Sequence, residues 1–339
     1  MKTAVTSVKF FNPGLDYKKR KREIKGEINR ILSAGDLILR GDVEQFEKNL
    51  AEFVGTKHAI ALNSGTDALY LALKVLGIGP NSRVSVPSHT FVATAQVVAQ
   101  LGAEPVLYDM DEVGASNVDV HMVAHITGST EKIPDIGIPI IEDACQALGA
   151  VKNPTTAMQC WSFYPAKILG AYGDGGAVTT NDDIYAEELR ELRNHYKKDY
   201  SKWGINSRMD NLQAAILNVK FKDLNETLAK RENCAKQYIK AFSDLDFKGK
   251  VSFPLKHEQE WRVWQDFVLD CHEKRDELYE FLKTKGVETM KNEYPFPIQK
   301  CPNSLAYEAR TLRLPCNEHL KKSEIKYVID CVKEFYAQE

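Results

Sequence analysis

AIALNSGTDALYLALKVLGIGPNSRVSVPSHTFVATAQVVAQLGAEPVLYD spans Ala59 to Asp109, and its rhythm decides the fold. Ala59–Leu62 is a short apolar run, after which Leu69, Ala72, Leu73 and Leu76 fall on one face of a helix. RVSV (83–86) returns to strand, FVATAQVVAQL (91–101) to helix and PVLYD (105–109) to strand. IPIIED (138–143), MQCWSFY (158–164) and AVTT (177–180) continue the series. Short strands alternating with amphipathic helices predict an α/β unit whose mainly parallel sheet is covered on both faces. Ligands of such sheets bind beyond the carboxyl ends of the strands, so the polar residues there are the first candidates for chemistry.

Beyond residue 182 the pattern turns helical, with a long amphipathic stretch from Met209 towards Phe242. WRVWQDFVLDC (261–271), RDELYEFLKTKG (275–286), VETM (287–290), RTLRLP (310–315) and SEIKYVIDCVKEFY (323–336) read as a smaller α+β unit. The expected division is a large domain over residues 1–225 and a small C-terminal domain over 226–339, which suits a chain of 339 residues.

A formal net charge of -2 offers no global field for nucleic acid or an anionic membrane, so neither is an expected partner and any anion must be held locally. The basic run KKRKRE (18–23) opens a segment with Ile24, Ile28, Ile31 and Leu32 at helical spacing and reads as a solvated helix face. Seven scattered cysteines without a C-x-x-C pair point to a reducing compartment and away from structural zinc. No apolar leader or bilayer-length apolar run is present in the sequence, so a cytoplasmic protein is expected.

Four groups at strand ends carry the chemistry. The turn Asn63-Ser64-Gly65-Thr66 leads from strand into helix, where free N–H groups and the helix dipole favour an anion such as phosphate, or where Ser64 is a simple cap. Phe91 enters the next helix, either to stack on a planar ligand or to staple the helix to the sheet. Asp143 ends an apolar strand, three residues before Gln146; it either needs a cationic partner, such as a protonated ring nitrogen, or caps a following helix. Lys167 stands in SFYPAKILGAYGDGG (162–176), amid Phe163, Tyr164, Pro165, Ala166, Ile168 and Leu169. A lysine kept partly desolvated offers a neutral amine that can condense with an aldehyde. The GDGG run fits neither a P-loop nor a dinucleotide fingerprint and reads as a turn into AVTT.

Taken together, NSGTDAL, PSHTFVAT, IEDACQALGA, SFYPAKILGAYGDGGAVTTND and GINSRMDNLQAAIL closely resemble, in order, the DegT/DnrJ/EryC1/StrS family of sugar aminotransferases. That resemblance implies a fold-type I pyridoxal-phosphate transferase, with a seven-stranded sheet in its large domain. It implies that Lys167 binds the cofactor covalently and shuttles a proton, and that Asp143 holds the pyridine nitrogen. Gln146 would bond the ring hydroxyl, Phe91 would cover the ring, and Gly65, Thr66 and Ser162 would hold the phosphate. Asn206 would reach the phosphate of a partner subunit and Arg208 the amino donor's carboxylate, making a homodimer with shared active sites.

The implied reaction moves an amino group from L-glutamate to a nucleotide-linked ketosugar. The GDGG form of the motif is similar to that of enzymes acting on a 3-keto sugar, a 3-keto-6-deoxyhexose among them, with a 4-keto sugar as the alternative. Ala166 and Ile168 depart from the Ser/Thr and Asn common beside the lysine, Asp111–Pro139 is short for the family, and Glu293-Tyr294-Pro295 stands where His-Tyr-Pro is frequent. Two other classes remain open: a non-catalytic regulator that keeps the cofactor pocket, and a nicotinamide-dependent dehydrogenase, which lacks its glycine fingerprint after the first strand.

Overall fold

A computed structural model describes residues 7–253, 262–291 and 301–338; Glu293-Tyr294-Pro295 lies outside them. The chain begins with α1 (Pro13–Ala34) and α2 (Gly41–Val54), then runs β1 (His58–Leu62), α3 (Gly65–Val75), β2 (Arg83–Pro87), α4 (Ala93–Gln100) and β3 (Glu104–Tyr108). It continues through β4 (Val120–Ala124), β5 (Ile140–Asp143), β6 (Met158–Ser162), β7 (Gly176–Thr180), α5 (Asp183–Leu192), α6 (Asn211–Phe221) and α7 (Leu224–Phe247). The last part holds β8 (Phe267–Asp270), α8 (Arg275–Thr284), β9 (Met290–Lys291), α9 (Pro302–Arg310), β10 (Thr311–Leu314) and α10 (Lys322–Ala337).

Seven strands form one sheet in the order β1-β7-β6-β5-β4-β2-β3, in which only β7 runs antiparallel to its neighbours. The strands are buried on both sides, as a helix-covered sheet requires. Ile60, Leu62, Val84, Met122, Ile141 and Val178 face α3, α4 and α5, whereas Ala59, Ala61, Trp161 and Ala177 face α2 and α6. This period-two division places Asp143, next but one to Ile141, on the α3–α4 side of its strand end. A separate core holds Val8, Tyr238, Phe242, Phe267, Leu278, Leu312 and Val328 around the antiparallel sheet β8-β10-β9. The fold-type I architecture expected from the sequence is the one observed.

β4 escaped the sequence reading because His121 and, just beyond, His125 interrupt its apolar pattern, although all five of its residues are buried. His121 stacks on Tyr108 with ring centroids 5.2 Å apart, and burial pushes its pKa down, keeping the ring neutral. Gly114, at φ +140°, lies so close that a Cβ there would meet the imidazole at 2.5 Å. The connections from β3 to β4 and from β4 to β5 carry no α-helix, the second holding one short turn at Ile126–Gly128. The basic run of α1 is a solvated face only in part. Arg20 turns inward, 5% exposed, and pairs with Asp16 and with Asp223 at 3.0 Å. All seven cysteines are free thiols, and no helix of the described residues is long and apolar enough to cross a membrane.

Candidate active site

β1, β4, β5 and β6 end at the same edge of the sheet, because β7 reverses direction between β1 and β6. A cavity of about 630 Å³ opens there, lined on the sheet side by Ser64, Gly65, Thr66, Asp143, Gln146, Ser162 and Lys167. The opposite wall comes from the C-terminal core and includes Arg231, Gln265, Asp266 and Arg313.

Ser64 caps α3, its hydroxyl accepting from the Asp67 N–H at 3.0 Å. The cap and the anion site are therefore compatible readings: the N–H groups of Gly65 and Thr66 lack intrahelical acceptors by helix geometry and border the cavity. A Cβ at Gly65 would lie 2.8 Å from the Ser162 Cβ, and one at Gly176 would lie 2.2 Å from the Ser64 carbonyl. Gly176, registered between Leu62 of β1 and Ser162 of β6, thus lets this turn settle against the β6 end. The last glycine of GDGG shapes the anion turn, not only the return into β7.

Asp143 is 6% exposed and caps no helix, since none follows β5 before β6. Its Oδ2 accepts from the Thr94 hydroxyl at 2.7 Å and its Oδ1 from the Cys145 N–H at 3.2 Å. A carboxylate only accepts, so the Thr94 proton points to Asp143 and the Thr90 hydroxyl, 2.8 Å away, donates to Thr94. Neither partner is charged, which leaves the carboxylate suited to a cationic N–H entering from the cavity. Beneath the turn, burial foremost and then the Asp143 carboxylate push the Cys145 thiol well up, so it stays neutral.

Lys167 is half-buried, with its backbone N–H donating to the Tyr164 carbonyl at 2.8 Å. No hydrogen bond or ion pair of its Nζ occurs among the described residues. The Gln146 amide oxygen accepts from the Thr127 N–H at 2.8 Å, which leaves its NH2 for the cavity. Phe91 is 56% exposed at the cavity rim and precedes α4, so the staple reading fails and the ring is available to a ligand.

Asn206 and Arg208 are not in this cavity. Asn206 is exposed, and Arg208 donates to the Asn194 side chain at 2.9 Å, while its buried Nε has no partner among the described residues. Ser207 between them is fully buried and ties their loop to the α3 turn, donating to Asp67 at 2.7 Å and accepting from the Asn63 N–H at 3.1 Å.

His125 lines the cavity and was missed with its strand. Its Nδ1 accepts from the Glu131 N–H at 3.0 Å, so the ring proton sits on Nε2, donated to Glu142 at 2.7 Å. Thr94 and Gln265 were missed as well. A threonine in a helix's first turn and a glutamine before a strand carry no signal until their partners are known.

The sequence profile of the DegT/DnrJ/EryC1/StrS aminotransferase family matches residues 18–134 and 134–333. The chain belongs to this family. The two matched stretches meet within the short β4–β5 connection. The "Pleiotropic regulatory protein" of Geobacillus stearothermophilus is 34% identical, over 96% of this chain and 98% of that protein. The dTDP-3-amino-3,4,6-trideoxy-alpha-D-glucose transaminase of Streptomyces venezuelae is 33% identical, over 95% and 96% of the two chains. The crystal structure of S. venezuelae DesV in complex with a ketimine intermediate superimposes with a TM-score of 0.89 at 31% identity, covering 98% of this chain and 99% of that one.

Family and fold make the chain an aminotransferase of the pyridoxal-phosphate class. The donor set fits that cofactor: two helix N–H groups and the Ser162 hydroxyl suit a phosphate, the Asp143 carboxylate a protonated ring nitrogen, the Gln146 NH2 a ring oxygen, and the Lys167 amine an aldehyde.

Proposed function

We propose that this protein transfers an amino group from L-glutamate to a nucleotide-linked 3-keto sugar, yielding an aminosugar nucleotide. Pyridoxal phosphate, when bound, supplies the carbonyl that takes up the amino group and a ring that accepts the electron pair of the deprotonated carbon. Lys167 holds it covalently at the aldehyde and then moves the proton from the donor's α-carbon. Asp143, steadied by Thr94 and Cys145, keeps the ring nitrogen protonated. Gly65, Thr66 and Ser162 hold the phosphate, Gln146 donates to the ring oxygen, and Phe91 covers the ring face.

The observation that carries this reading is the single cavity joining the Lys167 amine to a buried aspartate whose protein partners are all neutral. The S. venezuelae relative, named for a 3-amino sugar, supports the 3-keto choice, as does GDGG. Lys167→Ala should cut transfer by about four orders of magnitude; wild-type turnover in that variant would overturn the role. A panel of 3-keto and 4-keto sugar nucleotides offered to the amine-loaded enzyme separates the two positions. The name of the G. stearothermophilus relative favours one competing reading, a regulator, and turnover of no panel member would support it.

Asn206, outside its own chain's cavity, serves a partner's phosphate in this reading, so the enzyme is a homodimer. Mixing Lys167→Ala with Asn206→Ala subunits should restore activity, because one of the two sites in a mixed dimer is then intact. No restoration would place Asn206 in its own chain's site.

A further inference from the structure

Gln265 binds the backbone on both sides of Lys167. Its Oε1 accepts from the Ile168 N–H at 3.2 Å, and its Nε2 donates to the Ala166 carbonyl at 3.0 Å. The side chains of Ala166 and Ile168 have no polar atoms, so beside the loop's own backbone bonds, Lys167 N–H to Tyr164 and Ala171 N–H to Phe163, it is these two bonds from a remote residue that flank the lysine. A primary amide is suited to the task, because it offers one acceptor and one donor at the spacing of a peptide group.

The clamp is itself anchored. Arg231 of α7, 4% exposed, donates to the carbonyls of Trp264 at 3.2 Å, Gln265 at 3.0 Å and Cys316 at 3.1 Å, and pairs with Glu318 at 2.9 Å. Gln265 is 8% exposed and lines the cavity beside Lys167. The lysine loop of the sheet domain is therefore referenced to the frame of the C-terminal core.

We propose that Gln265 is a positioning residue that sets where the Lys167 amine enters the cavity, and that through it the C-terminal core governs the reactivity of that amine. The proposal rests on the reading of Lys167 as the covalent anchor of the cofactor. Without the clamp, the Ala166 carbonyl and the Ile168 N–H would lose their partners and the loop would sample several positions.

Two variants and one control test it. In cofactor-free protein, Gln265→Ala should speed hydrogen exchange of the Ile168 amide about tenfold, since its protecting acceptor is gone. Gln265→Glu should keep the Ile168 amide protected, because a carboxyl accepts whether protonated or ionised, and should lose only the donation to the Ala166 carbonyl once it ionises. In holoenzyme, the pH midpoint of the cofactor's visible absorption should move by about half a unit or more in Gln265→Ala, as expected when a titrating amine changes surroundings. Leu282→Ala, a fully buried site of the C-terminal core, serves as a control that lowers stability and should move neither readout. Exchange and midpoint unchanged in Gln265→Ala, or changed equally in Leu282→Ala, would overturn the proposal. If wild-type protein takes up no cofactor on Lys167, the function reading fails, while the exchange experiment still judges the clamp on its own.

Discussion

The two walls of the cavity are built on different plans. On the sheet side, each of these cavity-lining groups lies within a few residues of a strand end: Ser64–Thr66 after β1, Asp143–Gln146 at the end of β5, Ser162–Lys167 from the end of β6. On the other side, Arg231, the pair Gln265-Asp266 and Arg313 come from three separate parts of the chain, and Arg231 and Gln265 are occupied largely with backbone groups. The first wall takes its groups from local turns, which remote residues such as Ser207 and Gln265 then hold in place. The second depends on long-range hydrogen bonds whose loss is felt at a distance.

That contrast can be broken most forcefully at Arg231. Arg231→Met removes a buried cation and leaves Glu318 without its closest partner. Burial pushes the Glu318 pKa up, but Arg231 and then His319 outweigh it and hold the carboxyl far below its usual range. Removing one partner of such a pair costs about 3–5 kcal/mol, measurable by urea unfolding. A loss below about 1 kcal/mol, near that of an exposed pair, would mean the second wall is not held by this residue.

Asp109 tests a contact outside the cavity, between the end of β3 and the start of α9. It follows β3 and accepts from the N–H groups of Asn303 at 2.8 Å and Ser304 at 2.9 Å and from the Ser304 hydroxyl at 2.7 Å, at the start of α9. Burial pushes its pKa up, but the Ser304 hydroxyl and the backbone donors prevail and lower it. A carboxyl with a depressed folded pKa adds stability that is present above its unfolded value of about 3.9 and is lost as the pH falls through the folded one. Asp109→Asn should therefore cost about 1–3 kcal/mol at pH 7 and less at pH 3. An equal cost at both values would remove the carboxylate from the explanation.

The smallest effect on stability belongs to the first wall. Phe91→Ala, at an exposed rim position, should change unfolding free energy by no more than about 0.5 kcal/mol while weakening cofactor retention. A stability loss of about 3 kcal/mol would restore the buried staple that its exposure argues against.

Much of the first wall was legible in the sequence, because strand, turn and helix start are local and their chemistry is carried by neighbours. Reading failed where a residue's partner decided its role. The strand Val120–Ala124 was hidden by a histidine that stacks on Tyr108 and is kept neutral by burial. Phe91 and Asp143 each had two readings, and only their surroundings chose between them: open rim for one, no following helix for the other. Arg20 looked solvated in a run of charges, yet Asp16 and Asp223 draw it inside.

By itself, then, the sequence determined the α/β alternation, the order of the turns and the types of group at each strand end, since these follow from side-chain periodicity and backbone geometry over a few residues. The tertiary structure alone decided which residues hold those groups in place. Gln265 lies 99 residues from Ala166 and Asp109 lies 195 from Ser304, and a single hydrogen bond, worth about 1 kcal/mol net, leaves no periodic trace across such separations.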